Sequence, residues 1–211
     1  MYEILCSHTS STEPPAPFDP RILSPVQRLV LQNLVKQEDR RGKALFALGY
    51  WVGCRVTDIV DLQLDDTHIG AKSGWLHLGG EGAKARDIDL VNEARRVLHE
   101  YLQHREREEG SPYVFLSQRS PRLTDAGLHH WFRALKRRAA PDDRPLFAAL
   151  RFHDLRHDFA HRALDAGWTL EELAYYLGQI TTKGLPAVQT TIRYTQITRA
   201  QVKGKLKLLE R

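Results

Sequence analysis

The sequence of 211 residues predicts a mainly α-helical fold with one small antiparallel β-sheet, an α+β arrangement. Two observations carry that reading. Apolar residues recur at helical spacing in segment after segment, whereas extended runs occur together once, as WLHL (75–78) and ARDIDL (85–90) around the glycine-rich GGEGAK. Residues 1–22 contain SSTEPPAPFDP and no apolar period, so they read as an irregular N-terminal arm. Residues 23–211 read as one folded domain, closed by a C-terminal helix over 198–210.

The first helix begins after Ser24, with Val26, Leu29, Val30 and Leu34 as its inward face. A second carries Leu45, Leu48, Trp51 and Val52 and ends near Gly53. Arg55 then falls in a turn before Thr57, which is placed to cap a brief helix through Asp61. Trp75 to Leu90 forms a hairpin with Lys84 at its tip. Helices over Asn92–Glu108 (Ala94, Leu98, Tyr101, Leu102) and Thr124–Ala139 (Leu128, Trp131, Phe132, Leu135) flank an irregular YVFL stretch, and Pro141 to Pro145 is a loop. The helix after His153 turns Phe159, Ala160, Ala163 and Leu164 inward and stops at a left-handed Gly167. Thr169 and Glu172 make a capping box for TLEELAYYL, which Gly178 ends. A loop through KGLP, a short helix holding Tyr194, and a stripe of Val202, Leu206 and Leu209 complete the chain, and there is no internal repeat.

Composition narrows the class. With 42% hydrophobic residues the chain can bury a full core, and 31 Lys plus Arg against 26 Asp plus Glu give +5, compatible with a polyanionic partner. Cys6 and Cys54 lie far apart without metal-ligand spacing, so a reducing compartment is expected and no disulfide framework. The longest apolar stretch, Ala44 to Cys54, is too short to span a bilayer, and no basic segment precedes an apolar core at the start. A cytoplasmic protein without a membrane partner is the expectation.

Five scattered residues carry chemistry. His153 and Arg156 stand three apart at a helix start, so both project from one face toward the end that favours anions. With Arg55 they supply two guanidiniums able to grip a phosphate, while Lys84 and His153 can move protons and the Tyr194 hydroxyl can attack phosphorus. Such a set needs neither metal nor cofactor. His153, His157 and His161 fall at i, i+4 and i+8, but no cysteine or carboxylate set completes a zinc shell around them. Taken singly, each has a plain reading: a surface arginine, a turn lysine, a core tyrosine, a polar helix face.

Their contexts change that balance. GCRVTDIVDL, EGAKARDIDL, LRFHDLRHDFAHRALDAG and QTTIRYTQ, in that order, resemble the boxes of the tyrosine recombinases (phage integrase family), from about residue 24 to about residue 200. The resemblance implies a catalytic domain that cleaves and rejoins duplex DNA through a 3′-phosphotyrosyl intermediate, as in site-specific recombination and DNA integration. It makes Tyr194 the nucleophile, Arg55 and Arg156 the phosphate ligands, Lys84 the general acid, and His153 a donor to a phosphate oxygen or an aid to proton movement. Asp58, where the family has Glu, holds the Arg55 guanidinium, and His157 supports. Tyr175 and Tyr176 compete with Tyr194 but lie where the family places large structural residues. Gln179 stands where the family has His or Trp and can donate without charge, TTKGLPAV lengthens the interval to Tyr194, and Glu81 replaces a lysine.

The resemblance further implies a homotetramer on DNA, a monomer or weak oligomer when free, and a bacterial, phage or plasmid origin. Family members usually carry a helical DNA-clamping domain ahead of this one, so the sequence fits a shortened chain or a minimal recombinase. Rival readings are a type IB topoisomerase-like nicking-closing enzyme and a catalytically weakened DNA-binding regulator of the same fold.

Overall fold

A computed structural model describes residues 22–79, 85–105, 111–117, 120–179, 181, 185, 187 and 191. All belong to one compact unit, Arg21–Gln196. The N-terminal arm, Lys84, Tyr194 and the C-terminal helix lie outside the described residues.

Helix α1 spans Pro25–Lys36; the Ser24 hydroxyl accepts from the Gln27 amide, and the Gln27 side chain accepts from the Ser24 amide in return. Its inward face differs from the expected one. Leu31 and Leu34 are buried, whereas Val26 and Leu29 are more than half exposed. Apolar residues surround most of this helix, so period alone could not select the face that α2 and α5 cover. Helix α2, Arg40–Tyr50, is buried continuously from Ala44 to Tyr50, because it runs through the middle of the domain between α4 and α6. An amphipathic helix would leave a polar stripe there. Its sequence, KALFALGY, has none after Lys43.

Helix α3, Val56–Val60, starts two residues earlier than the sequence suggests. Arg55, not Thr57, is its N-cap, and the Asp58 carboxylate accepts from the Arg55 amide at 3.1 Å. An acidic side chain reaching back from the third helical position serves an orphan donor as well as a cap hydroxyl does. The sheet has three strands, β1 (Thr67–Ile69), β2 (Gly74–Leu78) and β3 (Arg86–Asp89), in antiparallel order β1-β2-β3. Register places Leu76 opposite both Thr67 and Ile88, and Leu76, Leu78 and Ile88 point into the core. β1 was not anticipated; three residues carry too little alternation, and it is held by pairing and by His68 stacked on Trp75 at 3.7 Å.

Helix α4, Asn92–His104, buries Ala94, Leu98 and Tyr101, and α5, Asp125–Arg137 with Thr124 as N-cap, buries Leu128, Phe132 and Leu135. Between them Val114 and Phe115 fill the core, with Phe115 stacked on Tyr101 at 5.2 Å. Burial of each such side chain stabilises by about 1.5–3 kcal/mol. The expected Pro141–Pro145 loop passes into a 3-10 turn, Arg144–Phe147, which carries Phe147 inward. Helix α6, Phe152–Asp165, and helix α7, Leu170–Tyr176, follow as expected, with Gly167 at φ +96° between them and the Thr169–Glu172 capping box formed in both directions. Asp158 of α6 is fully buried and accepts from Arg28 of α1 at 2.7 Å and Arg162 at 2.9 Å, tying the first helix to the sixth.

Candidate functional site

The site is organised by the end of α7. A helix leaves its last carbonyls without intrahelical donors and with partial negative charge, so cations are favoured there. Here three arginines from distant segments each take one of three successive carbonyls. Arg86 Nε donates to Tyr176 O at 2.8 Å, Arg156 Nη2 to Leu177 O at 2.7 Å, and Arg55 Nη2 to Gly178 O at 3.0 Å. Arg156 Nη1 also donates to Gly53 O at 2.7 Å, joining the turn before Arg55 to the turn before Gln179. Arg156 is only 1% exposed.

Both turns need glycine. Gly53 and Gly178 have φ of +69° and +62°, a region costing other residues about 1–2 kcal/mol. Space is as restrictive as torsion: a Cβ on Gly53 would lie 2.6 Å from Phe159, and one on Gly178 would lie 2.5 Å from Arg86 Nη1.

The expected phosphate ligands therefore converge. Arg55 is partly open to solvent beside a cleft of about 410 Å³ lined by Thr57, Asp61, Asp66 and His77. Asp58 holds it less directly than the sequence suggested: the carboxylate is 4.0 Å from Arg55 Nη1 but 3.2 Å from Arg86 Nη2, and its grip on Arg55 runs through the backbone amide. His153, an exposed residue on the first turn of α6, packs its ring edge-on against His157 at 4.8 Å. Partial desolvation, then the Arg156 and Arg55 charges, lower its pKa, with Asp154 opposing. These influences favour the neutral ring. Gln179 accepts at Oε1 from the Thr191 hydroxyl at 2.8 Å, which fixes which way its amide faces.

The two competing tyrosines separate. Tyr176 donates to Asp89 O, stacks on Phe159 at 5.5 Å, and burial pushes its phenol well above the ordinary range, the features of a structural residue. Tyr175 is 58% exposed. Cys54, beneath the arginines, has its thiol pushed up to about 12, chiefly by burial and then by Asp58, and is inert as a nucleophile. Among the described residues no group of three His, Cys, Asp or Glu is placed to hold a metal ion, and no helix is long and apolar enough to cross a membrane.

Sequence reasoning left Arg86 and Thr191 without roles. Arg86 had a signal: in β3 it alternates with Ile88 on the inward face, an arginine where an apolar residue belongs. Thr191 is fully buried, a fact no local pattern announced.

Residues 24–201 match the phage integrase family, and the chain belongs to it. The fold is that of tyrosine recombinase catalytic domains: it superposes on the crystal structure of XerA recombinase with a TM-score of 0.72 at 23% identity, covering 95% of this chain and 68% of that one. On XerH site-specific recombinase bound to its difH substrate, the TM-score is 0.70 at 19% identity, covering 89% and 54%. Tyrosine recombinase XerD of Listeria innocua is 29% identical over 172 residues, 79% of this chain and 54% of the relative. XerC of Pseudomonas putida is 29% identical over 205 residues, 92% and 63%. The chain thus spans little more than half the length of these relatives.

Proposed function

We propose that the chain is the catalytic part of a site-specific tyrosine recombinase that cuts and rejoins duplex DNA. The observation that carries this is the convergence of Arg55 and Arg156 on adjacent carbonyls of one helix end, next to Gln179 and with His153 at the rim. Their two guanidiniums take the non-bridging oxygens of the scissile phosphate, where charge grows in the transition state. The phenolic oxygen of Tyr194 bonds to phosphorus as the P–O5′ bond breaks. His153 donates to a phosphate oxygen or assists departure of the phenolic proton, and Lys84 protonates the leaving 5′ oxygen. The resulting 3′-phosphotyrosyl bond preserves the energy of the phosphodiester, so rejoining by another strand's hydroxyl needs no cofactor. Gln179 donates its amide to the same phosphate, without the charge a histidine could bring.

The partner is double-stranded DNA, engaged by a homotetramer and located in the bacterial cytoplasm. Relatives of this chain are named as recombinases and one as a resolvase, which favours strand exchange over a nicking-closing enzyme. The test is a library of nicked suicide duplexes incubated with the protein and run under denaturing conditions. A covalent protein–DNA adduct is expected from the parent and none from Tyr194→Phe, whose DNA affinity stays unchanged. An adduct that persists in Tyr194→Phe moves the nucleophile to Tyr175, and no adduct from the parent overturns the reading.

A further inference from the structure

Resting on that reading of Arg55, we infer that Arg86 is a positioning residue for the phosphate clamp. It is 6% exposed, and its guanidinium is shared between two segments that both hold Arg55. Nη2 donates to Asp58 Oδ2 at 3.2 Å, and that same oxygen accepts the Arg55 amide at 3.1 Å. Nε donates to Tyr176 O at 2.8 Å, in the turn whose Gly178 carbonyl accepts Arg55 Nη2. Arg55 is thus tethered at its backbone and at its tip, and Arg86 braces both tethers. The bracing is close: Gly178 leaves room for the guanidinium where a Cβ would fall 2.5 Å from Nη1.

The chemistry required is that of arginine. One planar group must donate in two fixed directions, to a carboxylate on α3 and to a carbonyl at the end of α7, while remaining charged when buried. A lysine supplies charge without the fixed fork. Burying an arginine at the start of β3 solely for stability is a poor use of the position, because a well-packed apolar residue serves there at least as well. In this arrangement Nε and Nη2 of Arg86 are engaged by protein acceptors. It acts through where it puts Arg55.

The test compares Arg86→Lys and Arg86→Gln on two suicide duplexes, one ordinary and one with a methylphosphonate at the scissile position. A methyl group replaces one charged oxygen there, so the reaction asks less of a cationic clamp. With the phosphodiester, both variants are expected to form adduct about 10²-fold more slowly than the parent, the scale of losing one aligned donor. With the methylphosphonate their deficit should shrink to within about tenfold, as it does for Arg55→Ala if Arg55 is the clamp. Equal deficits on both substrates, in a variant that melts like the parent, reduce Arg86 to a structural role and overturn the inference. So does Arg86→Lys cleaving the phosphodiester at the parental rate; this variant keeps the buried charge and carries the test if Arg86→Gln does not fold. If Arg55→Ala gains nothing on the methylphosphonate while the parent forms adduct normally, the assignment of Arg55 is what fails.

Discussion

Two clusters of arginine in this domain look alike at first and differ in what satisfies them. At the α1–α6 contact, Arg28 and Arg162 share the buried carboxylate of Asp158, and Arg162 also lies over the Tyr50 ring at 4.2 Å and donates to the Tyr50 carbonyl. At the end of α7, Arg55, Arg86 and Arg156 each bond a carbonyl oxygen, and the one carboxylate beside them, Asp58, bonds Arg86 at 3.2 Å and stands 4.0 Å from Arg55. A carboxylate neutralises a guanidinium. A carbonyl satisfies its hydrogens and leaves the charge in place. The first cluster is an ion-pair latch of two guanidiniums on one carboxylate; the second sets three guanidiniums beside one carboxylate, an excess of positive charge that suits a phosphate.

That comparison can be broken by exchanging effects on rate for effects on stability. The largest change expected is in Arg55→Ala, which should slow adduct formation about 10³-fold through lost charge stabilisation. Its melting should move little, since a partly exposed arginine with one carbonyl bond contributes about 1 kcal/mol. Asp158→Ala should do the reverse. Two guanidiniums lose their buried partner, and denaturant unfolding should show a loss of about 3–5 kcal/mol, while the cleavage rate of the folded fraction equals that of the parent. If Asp158→Ala slows cleavage of fully folded protein, the latch belongs to the site and the distinction fails.

Smaller effects sharpen the picture. Lys84→Ala should cut the ordinary duplex about 10²-fold more slowly, yet cut a duplex with bridging 5′-sulfur at the parental rate, because a thiolate departs without a proton. Equal slowing on both substrates removes Lys84 from proton donation. The smallest effect concerns His153. Its folded pKa lies below the unfolded 6.5, so the unfolded chain binds the proton more readily. Stability from this group is complete above about pH 6.5 and is lost as pH falls through the folded value. His153→Gln should flatten that part of the stability–pH curve, measured by denaturant midpoints; an unchanged slope contradicts a neutral His153 in the folded state.

Much of the framework was legible because its signals are local. Thr169 with Glu172, Thr124 before α5, and the glycines at 167 and 178 announce helix ends through bonds or torsions within a few residues. What escaped depends on distance. β1 exists because Thr67 pairs with Leu76, and the buried face of α1 exists because other helices chose Leu31 over Leu29. The site divides in the same way. Arg55, His153 and Arg156 stood in recognisable contexts, but the role of Arg86 is set by Asp58 and Tyr176, segments that only folding brings beside it.

The partners that close this centre lie 90, 103 and 123 residues apart in the chain. Closing such spans costs chain entropy before the contacts reward it, so the centre is expected to assemble late in folding. A nascent chain that has emerged as far as Arg156 already carries all three arginines, but not the three carbonyls of residues 176–178 that aim them. For a protein proposed to cut duplex DNA, that order of assembly would act as a safety catch. Unfinished, misfolded or clipped copies would lack the aligned clamp that the proposed cleavage needs.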